Sequence, residues 1–575
     1  MDADHKRLDA IRDSRSELEN HYIEELVAGR LSRRQFMRKG AVIGMSTGLM
    51  GAILAACGNA NGSSSSSASS SSSGAAAGGS STSASSGAVK GGTLKLASQA
   101  PAAAVNPLTV ADSGGLCLIA QTAEFLTFDN NMALALQPML ATSWSASGGG
   151  KVWTFKLRQG VKFHNGQPMT ADDVVYTFKQ LSNPKNASSA LSTFAGVLTP
   201  DGVVKVDSGT VAFHLQAANG NFPYLVSSDN YGAVIVPNGY DYSKWEKSFI
   251  GTGPFKLSSY SQGVSASFVA NPDYWGGAPH LDGTTFQFYS SQQPQILALQ
   301  GNQVDVIVQF VSQGAQALLN NSSYNIIKLK SSNHRELSMR CDQAPFNDAR
   351  VRQAVALCLD RPGMVQALLS GNGEVGNDSP FAPKFPSTNT SVPQRTQNLS
   401  KAKQLLSAAG HPSGFSTTLA TEQYQEIPQL AQVIAEAATK IGVNIKLNVE
   451  TQANYYGKAT FGNSDWLDAI MSLVDYGDRG VPNVFLDAPL LSKGTWNAAH
   501  FKDPTYDHLV AQYTAAVDLQ SQKTIAGKIE TLLLEQTPLV IPYFIDGLCA
   551  TTTGVHGVNP TSISAIFLKD AYKTA

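Results

Sequence analysis

Few residues of this 575-residue chain stand in a pattern that could do covalent chemistry. Beyond residue 57 there are four cysteines, Cys117, Cys341, Cys358 and Cys549. None forms a C-x-x-C, and their wide spacing argues against a zinc site. They read as at most one disulfide, or equally as four small buried thiols. Gly371-Asn372-Gly373-Glu374-Val375-Gly376 matches the spacing of a dinucleotide fingerprint. It follows a helical pattern and opens no helix, so it lacks the strand-turn-helix context that seats a pyrophosphate. His500 and His508 stand eight apart around a proline and read as surface residues. Beyond residue 57 there is no G-x-S-x-G, H-E-x-x-H or Walker sequence, so a hydrolase, the alternative from another functional class, lacks its usual marks.

The thiol with a chemical context is Cys57. It closes Leu54-Ala55-Ala56-Cys57 at the end of an apolar run from residue 41, and Arg33 and Arg34 stand side by side upstream. The run is 16 residues long, short of the roughly 20 that span hydrocarbon as a helix. It is rich in Gly, Ala and Met, as a signal segment can be. The arginine pair resembles a twin-arginine export signal, an address read by a receptor. Leu-Ala-Ala-Cys resembles a lipobox, in which the thiol is lipidated and the peptide is cut before Cys57. Residues 58–90 are almost wholly Ser, Gly, Ala and Asn. Such a segment has too little apolar surface to offset the entropy of ordering it and is expected to stay disordered. It would hold the globular part roughly 30 Å from the anchor, with extension to ~110 Å. A diacylglycerol-type anchor supplies the second acyl chain that stable attachment needs. The expected address is the extracytoplasmic face of the cell membrane, at the cell surface or in the periplasm.

The elements that must position any site lie in the remaining residues, about 490 of them, too many for one core and enough for two or three domains. Composition is that of a soluble globular protein, with 42% hydrophobic and 15% charged residues. Net charge is −1 and no polybasic face appears, which argues against nucleic-acid binding. A strand is expected over 91–97, and residues 153–158 alternate with period two as a half-buried strand does. Residues 159–166 turn through a second short strand and an Asn-Gly turn. Thr170 reads as the cap of a helix to 181, with Asp172 and Asp173 in its first turn. Residues 251–257 enter a strand, and 271–276 are turn-rich. Helices are expected over 348–359 with Asn347 as cap, over 401–409 stopped by Gly410, and over 427–441 before a strand at 443–449. Residues 509–534 read as one long helix before Pro538. No fixed-period repeat occurs, so a solenoid is excluded. The class is α/β.

Several of these segments together resemble one family. Residues 153–179 (WTFKLRQGVKFHNGQPMTADDVVYTFK), residues 251–257, Asn-Pro-Asp-Tyr-Trp at 271–275 and residues 346–368 (FNDARVRQAVALCLDRPGMVQAL) look like solute-binding family 5. These are the peptide, nickel and related binding proteins of ATP-binding-cassette (ABC) importers. The resemblance covers roughly residues 90–570. It implies a two-lobed fold like periplasmic binding proteins of class II, with an extra domain inserted in the first lobe. The signal would occupy 1–57 and the linker 58–90. The first lobe would take 91–128, 249–330 and 536–575, the inserted domain 129–248 and the second lobe 331–535. The ligand would lie between lobes that close over it by hinge motion.

The resemblance also implies a site. Peptide binders of the family hold the α-ammonium of the substrate on an aspartate that matches Asp475, next to Tyr476. An ionised aspartate in a desolvated cleft makes a charge-assisted hydrogen bond to such a cation. Asp478 is a second candidate, and either aspartate could instead cap its loop or pair with Arg479. Two departures bear on peptide specificity: Ser472 stands where an aromatic residue is common, and Arg479-Gly480-Val481 interrupts the usual run. Tyr476, Trp466 and Trp496 are candidate cleft aromatics, and Asp112, in the loop 110–115, lies where first-lobe contacts are expected. No catalysis, cofactor or metal is implied. The partners are a small molecule or short peptide, permease subunits with their ATPase and, through the lipid, the membrane, for a receptor expected to be a monomer. A metal chelate, an oligosaccharide or another cationic metabolite is the alternative ligand.

Overall fold

The computed structural model describes residues 88–130, 135–230 and 232–574, which belong to one compact unit. Arg33, Arg34, Cys57 and nearly all of the linker lie outside the described residues.

Two large sheets organise the chain. The first runs in the order Tyr324–Leu329, Gly547–Thr552, Val306–Phe310, Thr93–Gln99, Gly283–Tyr289, Ser265–Ala270, Phe255–Ser261. Its central strand Thr93–Gln99 buries Leu94 and Leu96 completely and pairs in parallel with Gly283–Tyr289. The second runs Gly373–Val375, Tyr543–Ile545, His334–Met339, Met471–Tyr476, Phe415–Glu422, Val443–Glu450, with Leu539–Val540 also paired to His334–Met339. A smaller antiparallel sheet, Ala141–Ser147, Val152–Leu157, Thr210–His214 and Val203–Asp207, lies between the first and second strands of the first sheet in sequence. Phe155, Phe178, Phe213 and Phe222 fill its core, three pairs edge to face and Phe213–Phe222 tilted, with ring centres 5.1–6.3 Å apart, and the edge-to-face arrangement is one that aromatic quadrupoles favour.

The chain passes between the large sheets twice, at residues 330–333 and at Asp546. The two passages lie side by side: Ile545 N–H donates to Asn333 O at 2.7 Å, and Ser331 Oγ donates to Ile545 O at 2.7 Å. The boundary expected at 536 therefore falls later, because Leu539–Val540 and Tyr543–Ile545 pair inside the second sheet. The single long helix expected over 509–534 is two, Pro504–Ala515 and Leu519–Gln536. Asp518 accepts from Ser521 N–H at 2.8 Å and so starts the second one. It satisfies a backbone donor that a continuous helix would have bonded internally. Asp348, not Asn347, caps Ala349–Leu357. Thr170 caps Ala171–Leu181 with a full capping box, Asp173 Oδ2 accepting from Thr170 N–H at 2.7 Å. The four cysteines are free, and all but Cys341 are buried.

The segments that carry the family resemblance act mainly as internal ties. Thr252 Oγ1, Tyr274 Oη and Trp275 Nε1 all donate to the buried Glu124, at 2.8, 2.6 and 2.8 Å. Burial pushes the Glu124 carboxyl up to about 7 against the pull of those three donors. Arg158 stacks 4.2 Å over Trp275. In the second lobe Arg352 donates to the carbonyls of Gln536 and Thr537. Arg361 and Arg395 both pair with the fully buried Asp378.

Candidate ligand-binding cleft

The strands Phe415–Glu422 and Met471–Tyr476 are parallel neighbours, so their carboxyl ends lie at one edge of the second sheet. That edge is where open α/β sheets place ligands. Side chains alternate along a strand, and the antiparallel register with His334–Met339 sets Arg335 opposite Asp475 and His334 opposite Tyr476. Asp475 and Arg335 thus share one face, while Tyr476, His334 and Glu336 share the other.

On the first face Arg335 is fully buried and the Asp475 side chain is 28% exposed, with Nη1 and Oδ2 3.7 Å apart. Arg335 is fixed by Nε to Glu426 Oε1 at 2.8 Å and by Nη2 to Gln425 Oε1 at 2.8 Å and Glu426 Oε2 at 3.2 Å. Its Nη1 donates to Asn333 Oδ1 at 3.2 Å. Gln425 takes this position with φ +45°, a left-handed conformation that strains a non-glycine residue. Asp475 accepts no hydrogen bond from the described residues. Burial raises its carboxyl above the ordinary value, and the Arg335 charge draws it back. Beside it Glu422 accepts from Tyr456 Oη and Gln452 Nε2, both at 2.6 Å.

On the second face Tyr476 is buried, stacked on His334 at 5.4 Å and 6.0 Å from the partly exposed Trp496. Trp466 is buried against Tyr456, and its indole N–H has no acceptor among the described residues.

Asp478 is buried and already satisfied. It pairs with Lys384 Nζ at 2.9 Å and accepts from Ser332 N–H, Ser332 Oγ and Ser562 Oγ. It therefore ties a crossing passage to the loop at 562. Asp112 caps the helix Ser113–Thr122 through Gly115 N–H at 2.9 Å. Beside that helix a recess is lined by Ser98, Gln99, Ser113, Cys117, Val308, Gln309 and Ser564.

The inserted region meets the second sheet's domain next to Asp478. Asp129 and Asp229 are buried, and among the described residues neither carboxyl oxygen of Asp229 has a hydrogen bond. Burial raises the Asp229 carboxyl, the Asp129 charge adds to this, and the Lys384 charge opposes it. Asn221 Nδ2 donates to Asn483 Oδ1 at 2.8 Å, and Gln522 Nε2 donates to Asn221 Oδ1 at 2.9 Å. Arg335, Glu422, Glu426, Lys384 and the Asp129–Asp229 pair carry no local sequence signal. The available hint is that the polar run Glu422-Gln423-Tyr424-Gln425-Glu426 ends a strand.

The chain matches the family described as bacterial extracellular solute-binding proteins, family 5, over residues 135–492. It is 26% identical over 438 residues to heme-binding protein A of Haemophilus influenzae, covering 70% of this chain and 78% of that one. It is 26% identical over 495 residues to the oligopeptide-binding protein AppA of Bacillus subtilis, covering 81% and 89%. Among solved structures, HbpA2 from Haemophilus parasuis superposes with a TM-score of 0.75 at 23% identity, covering 84% of this chain and all of that one. The two-lobed class II binding-protein fold and the match over more than half of the chain agree: this chain belongs to the bacterial extracellular solute-binding proteins of family 5.

Proposed function

We propose that this protein captures a short peptide by its free amino end and delivers it to an ABC permease powered by a separate ATPase. One observation carries the reading: Asp475 is a cleft-edge carboxylate that accepts no hydrogen bond from the described residues. A partly buried acceptor left open costs free energy that a ligand ammonium recovers. The peptide-binding relative AppA, aligned over 495 residues, supports that ligand class. Tyr476, Trp496 and Trp466 line or back the same edge, and the Asp112 helix with its recess faces the ligand from the first lobe. Asp478 serves the joint between lobes. The protein does no chemistry of its own, works as a monomer, and is exported through Arg33 and Arg34 and held to the membrane by lipid on Cys57.

Native mass spectrometry of the domain from residue 88 onward, followed by thermal shift with peptide pools, tests the ligand. A co-purifying peptide, or a stabilisation that follows ligand concentration, is the expected result. Stabilisation by sugars, haem or metal chelates with none by peptides would keep the receptor and replace its ligand. Asp475→Asn should weaken peptide binding by about 1.5–3 kcal/mol, and unchanged affinity would remove Asp475 from the role.

A further inference from the structure

A buried cation stands directly behind the proposed anchor. Four hydrogen bonds to Glu426, Gln425 and Asn333 fix the Arg335 guanidinium. Its approach to Asp475, at 3.7 Å, is too long for a hydrogen bond. Among the described residues Asp475 therefore has a partner for its charge and none for its lone pairs. What such a carboxylate lacks is N–H donors more than positive charge.

Resting on the reading of Asp475 as the ammonium anchor, we propose that Arg335 is a specificity-determining residue: it offsets the charge of Asp475 while leaving its lone pairs open, so the cleft selects a primary ammonium over a cation without N–H donors. A quaternary ammonium brings charge alone and gains little against a carboxylate already part-neutralised. A primary ammonium brings three donors.

Titratable and charged groups surround Asp475 on every side. Arg335 and His334 stand on the paired strand, Tyr424 and Glu426 on the turn beyond residue 422, and Glu422 at the end of the parallel strand. Tyr456, Tyr476 and Arg479 complete the surroundings. Among these the Arg335 charge acts most strongly on Asp475, lowering its carboxyl, and Glu426 raises it. Ammonium capture requires the ionised carboxylate, so it is lost as pH falls through the raised value. Removing the Arg335 charge moves that loss to higher pH. Removing the Glu426 charge moves it to lower pH.

The test titrates a tripeptide pool with free, N-acetylated or N-trimethylated amino ends against the native protein and against Asp475→Asn, Arg335→Gln and Glu426→Gln, at several pH values. The native protein should bind the free pool at least about tenfold more tightly than either blocked pool. Arg335→Gln should narrow the gap between free and trimethylated pools and shift the acid limb upward, and Glu426→Gln should shift it downward. If Arg335→Gln does not fold, Glu426→Gln, which keeps an amide acceptor for the guanidinium, decides by the direction of its shift. Equal native affinity for free and trimethylated pools, or an acid limb unmoved in the folded variants, overturns the role of Arg335. Unchanged affinity in Asp475→Asn, or no binding of any pool, overturns the anchor reading itself.

Discussion

At the scale of single residues, the chain spends its buried polar groups on ties. Glu124 gathers a threonine, a tyrosine and a tryptophan from two separate segments. Glu124→Ala would strand three donors in a dry site, each costing about 1–3 kcal/mol. A loss of about 3–5 kcal/mol in denaturant unfolding is expected, with ligand affinity per folded molecule unchanged. A loss below about 1 kcal/mol would mean that water replaces the carboxylate. Such ties explain what was legible in the sequence. Thr252, Tyr274, Trp275, Arg352 and Arg361 sit in the segments that carry the resemblance, and each has a fixed internal partner. Arg335 and Glu426 are 91 residues apart in sequence and meet only across the sheet edge. No spacing rule could pair them.

At the scale of elements, local chemistry decided boundaries where periodicity did not. The apolar pattern runs on through residues 509–534, yet Asp518 ends the run by capping a new helix. Asp518→Ala should cost about 1 kcal/mol, read as a lower unfolding midpoint, and Asp518→Asn should restore most of it. No change in either variant would show that the break at residues 516–518 is imposed by packing alone. The same limit hid the strands Leu539–Val540 and Tyr543–Ile545. They are too short to show alternation, and only their partners in the second sheet reveal where they belong.

For the whole molecule, several buried carboxyl groups bind protons more tightly folded than unfolded. Burial pushes Glu124 and Glu530 up to about 7 and Asp487 and Asp546 up to about 6. Groups raised in this way stabilise the fold below their ordinary values and lose that contribution as pH rises through the raised ones. The thermal midpoint of the domain should therefore fall between about pH 4.5 and pH 7. Asp229 acts in the same sense where the inserted region meets the second lobe, and Asp229→Asn should flatten part of the slope. A midpoint that climbs over the same interval would show that those carboxyls are hydrated. Cys57→Ser should release the full-length protein from membranes, and retention in the membrane fraction would exclude the lipid anchor.

Two glycines set the clearance between the moving parts. A Cβ on Gly480 would run into the Asp229 carboxylate, and one on Gly220 would run into the Ala516 carbonyl. Each position faces the other side of the joint, so one methyl group there acts as a wedge. Wedged proteins of this kind would populate the splayed form, and apparent affinity falls by the fraction of molecules still able to shut. Gly220→Ala and Gly480→Ala would thus turn a transport receptor into a reporter of its own opening, readable by small-angle scattering without any ligand.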